Sequence, residues 1–428
     1  MKKKTYSQLD EIIYSKVLDN GLTVKLLPKP TYNKTYALFS TDFGSIDQHF
    51  VPLGKKEPVM VPDGIAHFLE HKLFEKKDRD VFHDFSKYGA AANAFTSFTK
   101  TAYLFSTTDY VSQNLKVLLD FVQDPYFTAE TVEKEKGIIA QEIQMYDDHP
   151  DWRLMFGLLQ NMYSDHPVHI DIAGTVESID KITHEMLYEN YYTFYHPSNM
   201  TLFMVGNFDE EKIMTLIEKN QNSKSFDEAS ELKRFIPEED FSQFKTSDEI
   251  SMDIIKPKVA IGIRGKEHDR KGKEALKFEA SVKIFLKMIL GSSSNNFLEL
   301  YDDELVDDSF SYSYESERSF NYINVSSDTQ KPEAFEQKIK EILLTGTENK
   351  DFNKDHFDEV KKSIIGKHLQ SLNSLEFIAY QFIEIQDDDA TIFDTVPLIE
   401  SITFEDVKNA AESIIDEDLM SVFKVLPK

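Results

Sequence analysis

A chain of 428 residues exceeds one ordinary core, and with 41% hydrophobic residues, 12% aromatics and only 15 Gly and 14 Pro it is expected to fold as two globular units. Its 75 acidic against 48 basic residues leave a net charge of -27, which repels phosphate backbones and anionic bilayers, so nucleic-acid and membrane partners are disfavoured. Cysteine is absent, so disulfides, thiolate ligands and a cysteine nucleophile are ruled out, and any metal must be held by His, Asp or Glu.

The start, MKKKTYSQLDEIIYSK, has the charge of a secretory signal but no apolar run behind it, and no uncharged apolar stretch reaches membrane-spanning length; the cytoplasm is the expected location. LDNGLTVKLLP, Leu18 to Pro28, is predicted as a strand entered through an Asn-Gly turn, and TYALFSTDFGS, Thr35 to Ser45, as a second. Helical spacing takes over at Ile65 to Phe74, strands return in NAFTSFTKTAYLFSTT, and helical patterns run from Ser112 through Tyr146. From Asn220 to Glu249 the composition turns polar and charged, as in a linker. Beyond it KPKVAIGIRG is predicted as a strand, EALKFEASVKIFLKMIL as a helix, and FSYSYES with FNYINVSSDT as paired strands; from Pro332 onward the pattern is mostly helical.

The second half repeats the element order of the first. At an offset of about 220 positions, Ile179, Ile182, Thr183 and Glu185 fall on Ile399, Ile402, Thr403 and Glu405, and Met200, Phe203 and Val205 fall on Met420, Phe423 and Val425. Each half thus ends in a Thr-capped helix followed by a strand. The expected fold is α/β (α+β), two similar duplicated domains, each a mostly antiparallel sheet packed with helices: 1–222, a linker at 223–246, and 247–428.

The chemistry concentrates in PDGIAHFLEHKLFE. His67 and His71, four apart on a helix, share a face and can converge on one ion, with Glu70 just before the second imidazole. Such an H-x-x-E-H pattern arises by chance about 0.03 times in a chain of this composition. A thiolate-free zinc site needs a third protein ligand and an open position, and a carboxylate from a second helix is a usual solution. In TVEKEKGIIAQEIQMYDDHPDWR, Glu135 and Glu142 stand seven apart and project from nearly the same helix face, so either can reach a neighbouring helix. Glu142 lies in the apolar run IIAQEI, and an inward carboxylate calls for a cation. It is the preferred ligand, with Glu135 orienting a ligand or the water. His83, His149, His166 and His169 lack comparable partners and read as ordinary histidines; YENYYTFY reads as helix core, and Ser292 to Ser294 after Gly291 as a helix stop.

HFLEH followed by E-x-x-x-x-x-x-E resembles the M16 family of metallopeptidases, the pitrilysin, insulin-degrading enzyme and mitochondrial processing peptidase group. LDNGLTV, GAAANAFTSFTKTAY, HPSNMTLFMVGNF and the duplicated halves share the resemblance, which spans nearly the whole chain and is nearest to the short bacterial M16B zinc peptidases with two domains per chain. It implies a zinc metalloendopeptidase that hydrolyses peptides or unfolded segments. One Zn2+ per chain would be held by His67, His71 and Glu142, with Glu70 as base and Glu135 as supporting catalytic carboxylate. Substrate would add as a strand along Asn93, Ala94 and Phe95.

One departure stands out. Self-sufficient members carry an Arg followed seven residues later by a Tyr in the second half, and the corresponding GSSSNNFLELYDDELVDDSFSY has Tyr301 and Asp308 there. Nor does a shifted copy exist, since Arg264, Arg270 and Arg318 are followed at that spacing by Lys271, Lys277 and Val325. The resemblance then implies a dimer: a heterodimer whose M16-like partner supplies the Arg/Tyr pair, or a homodimer. A non-catalytic M16-like scaffold or assembly subunit is the alternative.

Overall fold

Near the N-terminus four strands follow in succession, β1 (Lys2–Tyr6), β2 (Glu11–Val17), β3 (Thr23–Pro28) and β4 (Thr35–Thr41). In β4 the sequence TYALFST is buried at every position, as expected of a central strand covered on both faces. The two-residue strands β5 (His49–Phe50) and β6 (Val59–Met60) form a ribbon of their own. The helices α1 (Ile65–Phe74) and α2 (Val81–Ser86) lead to β7 (Ala91–Thr96) and β8 (Thr101–Thr107), which α3 (Val111–Val122) and the long α4 (Ala129–Asp147) follow. The computed structural model describes residues 1–267, 270–385 and 390–428.

After α5 (Pro150–Met162) come α6 (Val176–Ile179), α7 (His184–Phe194), β9 (Met200–Gly206) and α8 (Glu210–Asn222). The second set comprises β10 (Ser247–Met252), β11 (Lys258–Arg264), α9 (Gly272–Leu290), α10 (Asn295–Asp302), β12 (Ser311–Glu317) and β13 (Phe320–Asp328). It continues with α11 (Pro332–Leu344), α12 (Lys354–Ser371), α13 (Leu375–Glu384), α14 (Thr395–Ser401), α15 (Phe404–Ile414) and β14 (Met420–Pro427).

The duplication is visible in strand order. The first sheet runs β1-β2-β3-β9-β4-β8-β7 and the second β10-β14-β11-β13-β12. In each, the closing strand is parallel to the first strand of the common core and antiparallel to the next (β9 to β3 and β4; β14 to β10 and β11). Thr183 and Thr403, one repeat apart, both cap the helix before the closing strand. The first sheet has the hairpin β1-β2 in addition, and its other edge is β7.

The units are not the contiguous stretches 1–222 and 247–428. One combines Met1–Ile143 and Asp171–Ile236 with a return of chain from Leu372 that carries α13; the other includes α5. Phe382 of α13 stacks on Phe203 of β9 at 4.4 Å, and Tyr380 lies 6.5 Å from Tyr36 of β4. In the other unit α5 lies on β11 and β14, close enough that a Cβ at Gly157 would meet the Phe423 ring at 2.2 Å and one at Gly262 would meet Met162 Sδ at 2.6 Å. An apolar helix stripe says that a sheet must be covered but not which one, so the sequence left this exchange unread.

Nor is 223–246 simply a polar connection. Within the first unit Val51 N–H donates to the Lys233 carbonyl at 3.0 Å, Phe235 N–H to the His49 carbonyl at 2.9 Å, and Arg234 pairs with the buried Asp47 at 3.0 Å. Within the second, Glu239 accepts from the backbone N–H of Ser164 and pairs with Arg264 at 3.1 Å. Among the described residues no helix is long and apolar enough to cross a membrane.

Candidate metal centre

The helix α1 begins at Gly64, whose left-handed φ of 84° suits glycine and where a Cβ would stand 2.3 Å from the Ala173 carbonyl oxygen. Gly174, at φ 75°, meets the Asp63 carbonyl in the same way, and Ser178 Oγ donates to that carbonyl at 3.0 Å. The segment around 171–178 therefore fixes where α1 starts. Every residue of the helix except His71 is buried: Ile65, Phe68, Leu69 and Leu73 enter the core, and His67, Glu70 and Lys72 are buried polar groups.

Four-residue spacing brings the His67 and His71 rings to 4.5 Å between centroids. From α4, Glu142 offers one oxygen to each: Oε1 lies 3.6 Å from His67 Nε2 and Oε2 3.5 Å from His71 Nε2. These separations are too long for good hydrogen bonds. They match the spacing of about 3.4 Å between donors that bind one ion at about 2.0 to 2.2 Å in a tetrahedron. Among the described residues, His67, His71 and Glu142 are the one group whose donor atoms fall within 4.8 Å of one another as a metal site requires. Two imidazoles and a carboxylate fit a zinc ion.

The charges around the trio are arranged to keep it usable. Burial, and then the neighbouring His71, push the His67 imidazole down to about 4, so it is neutral and free to donate an electron pair at pH 7. Its Nδ1 is buried and has no hydrogen-bond partner among the described residues. At His71 burial acts downward, but the Glu135 hydrogen bond and the charges of Glu70, Glu142 and Glu135 outweigh it, so the net shift is upward. Glu135 Oε1 sits 3.3 Å from His71 Nδ1 and Oε2 3.7 Å from Lys72 Nζ. Burial pushes the Glu135 carboxyl up, but His71 and Lys72 overcome it and hold the group below the usual carboxylate range. Burial raises Glu70 against the opposing hydrogen bond from Thr96 Oγ1, which donates to Oε2 at 2.6 Å.

Several expectations need adjustment. The buried stripe of α4 is Val132, Glu135, Ile139 and Ile143; Glu142 lies half-buried at its margin with Ile138 exposed nearby, not inside an apolar run. Asn93 is exposed and Ala94 half-buried on β7, but the Phe95 ring turns to Tyr380 of α13, 5.1 Å away. Strand alternation instead gives Thr96 to the Glu70 side. Thr96 and Lys72 are the site residues the sequence did not yield. Their signals were the period of two from Ala94 and a lysine among Phe68, Leu69, Leu73 and Phe74.

A cleft of about 580 Å³ lies beside these groups, lined by Glu70, His71, Glu135, Phe74, Asn93 and Ala94 among others. It borders β7, whose outer edge pairs with no strand among the described residues. The remaining candidates have structural roles. His149 and His166 cap helix starts, and His169 Nδ1 meets the His166 carbonyl at 2.8 Å. Tyr191 and Tyr195 are buried, and Ser294 caps α10 just after α9 ends at Gly291. Tyr301 is exposed on α10.

Two family models match the chain. One, described as insulinase (peptidase family M16), covers residues 59–176, and the other, described as the peptidase M16 inactive domain, covers residues 181–364. The chain is 50% identical to the uncharacterized zinc protease YmfH of Bacillus subtilis (strain 168) over 428 residues, all of both proteins. A solved structure described as an M16-like peptidase from Alicyclobacillus acidocaldarius is 38% identical, with a TM-score of 0.93 over 98% of this chain and 99% of that one. A protease from Helicobacter pylori, 20% identical, shares the fold with a TM-score of 0.83 over 97% and 99% of the two chains.

Proposed function

The chain belongs to the M16 peptidase family, and from that premise we propose that it is a zinc metalloendopeptidase acting on peptides or unfolded segments. The observation that carries the reading is the pair of contacts at 3.6 and 3.5 Å by which the two oxygens of Glu142 face the Nε2 atoms of His67 and His71, with buried Glu70 one turn along the same helix. His67, His71 and Glu142 would hold one zinc per chain. When bound there, zinc supplies Lewis acidity that polarises the scissile carbonyl and makes water nucleophilic near neutral pH.

Glu70 takes the proton of the attacking water as oxygen bonds to the carbonyl carbon, and passes it to the amide nitrogen as the C–N bond breaks, leaving a carboxylic acid and an amine. Its burial raises its proton affinity, which favours proton uptake from water, and Thr96 fixes one oxygen. Glu135 holds the His71 ring through Nδ1. The free edge of β7 at Asn93, Ala94 and Phe95 offers main-chain groups to an extended peptide, giving affinity with little sequence selectivity.

The missing Arg/Tyr pair leads to a proposal about partners. Arg264 is committed to Glu239 and the Met162 carbonyl, and Arg270 stacks over the Phe278 ring at 3.7 Å. Substrate grip would then come from a second chain, either an M16-like subunit that carries the pair or another copy of this one. The test is cleavage of a mixed peptide library by this chain alone and with the product of its adjacent gene. Chelator-sensitive cleavage, strongest with the partner, is expected; no cleavage in either arm, or cleavage indifferent to chelator, removes the peptidase reading.

A further inference from the structure

Lys72 is a fully buried charge in the first unit, with a side chain that is 0% exposed, and hydrolysis as derived above makes no use of it. Its ammonium is held by the Glu75 carboxylate, donates to the Thr131 carbonyl of α4 at 3.2 Å, and lies 3.7 Å from Glu135 Oε2. The other oxygen of that carboxylate is 3.3 Å from His71 Nδ1, and His71 Nε2 faces Glu142. Among the described residues each Glu135 oxygen thus has one ion-pair partner, the lysine for one and the imidazole for the other. A cation desolvated this completely survives only where its charge is matched, and here the carboxylates of Glu75 and Glu135 match it.

Resting on the zinc-site reading, we propose that Lys72 is a positioning residue: anchored to the backbone of α4 at Thr131, it fixes Glu135 and, through it, the orientation of the His71 ring toward the metal. Lys72 touches neither metal nor substrate. Without it Glu135 loses the partner on its second oxygen and can rotate away from Nδ1, so the ring is no longer held in the pose that aims Nε2 at Glu142. Partners of metal-bound imidazoles commonly govern affinity to this extent, about 10- to 100-fold.

The test measures the zinc dissociation constant of the full chain at pH 7 by competition with a chromogenic chelator, in wild type, Lys72→Met, Glu135→Gln and the double variant. Circular dichroism of the metal-stripped proteins checks that each is folded. Each single substitution is expected to weaken zinc about 10- to 100-fold, and the double variant to be within about threefold of the weaker single, because both act on one contact. Lys72→Gln, which keeps a donor for the Thr131 carbonyl, carries the same test if Lys72→Met does not fold. Zinc binding within threefold of wild type for Lys72→Met, an effect of Lys72→Met with none for Glu135→Gln, or losses that multiply in the double variant each overturn the proposal while leaving the metal site standing. A wild-type chain that binds no zinc takes down the metal site and this inference together.

Discussion

Between β4 and β7 the first unit carries α1, whose buried side includes His67, Glu70 and Lys72; between β11 and β12 the second carries α9, whose buried residues, Val282, Phe285, Leu286 and Ile289 among them, are apolar apart from Ser281. Histidine is used differently in the two as well. His356 in the second unit is buried with both nitrogens occupied, by Ser293 Oγ at 3.0 Å and the Asp351 carbonyl at 2.9 Å, whereas His67 Nδ1 has no partner among the described residues and Nε2 turns to Glu142. One sheet order therefore supports two designs. At this place in the fold the first unit keeps buried ionisable side chains on its helix, and the second keeps apolar ones. Substitutions should follow that division, altering metal and turnover in the first unit and folding in the second.

The widest separation is expected at Glu70. Glu70→Gln keeps shape and burial but cannot accept the proton, so peptide hydrolysis should fall on the order of 10²- to 10⁴-fold with zinc content unchanged. Steady-state kinetics beside metal analysis checks it, and full turnover would remove Glu70 from the chemistry.

In the second unit Phe285, 0% exposed and packed near Phe352, plays the opposite part. Phe285→Ala should cost about 3 to 5 kcal/mol of stability, read by denaturant melting, while zinc affinity stays within about threefold because no described donor lies near it. A loss of zinc affinity larger than that would blur the contrast between the units.

The smallest effect is expected at Thr96. Its hydrogen bond to Glu70 favours the ionised carboxylate, so Thr96→Val should raise the carboxyl's already elevated pKa further. A base must be deprotonated to act, and the acidic limb of kcat/KM should therefore move to higher pH, with activity lost on that limb. A limb that stays in place or moves down would mean that Thr96 does not bear on the base.

Much of this was legible in the sequence because the relevant signals are local. Four-residue spacing put His67 and His71 on one face, seven-residue spacing put Glu135 and Glu142 on another, and the Thr183/Thr403 register anticipated the common strand order. What escaped depends on which surfaces meet. The exchange of α5 and α13 leaves no periodic trace, since an amphipathic helix fits either sheet. The stretch 223–246 reads as polar, yet Arg234 and Glu239 are anchored by buried partners far away in sequence. Lys72 looks like a solvated helix residue until Glu135 arrives from α4, and Thr96 gains its role only because β7 runs beside α1.

The central claim is that His67, His71 and Glu142 form one metal site, and zinc content answers it most directly. Purified, dialysed wild type should retain about one zinc per chain, and Glu142→Gln, folded by circular dichroism, should retain close to none at the same concentration. Equal zinc in the two proteins, or none in wild type supplied with the metal, would contradict the account.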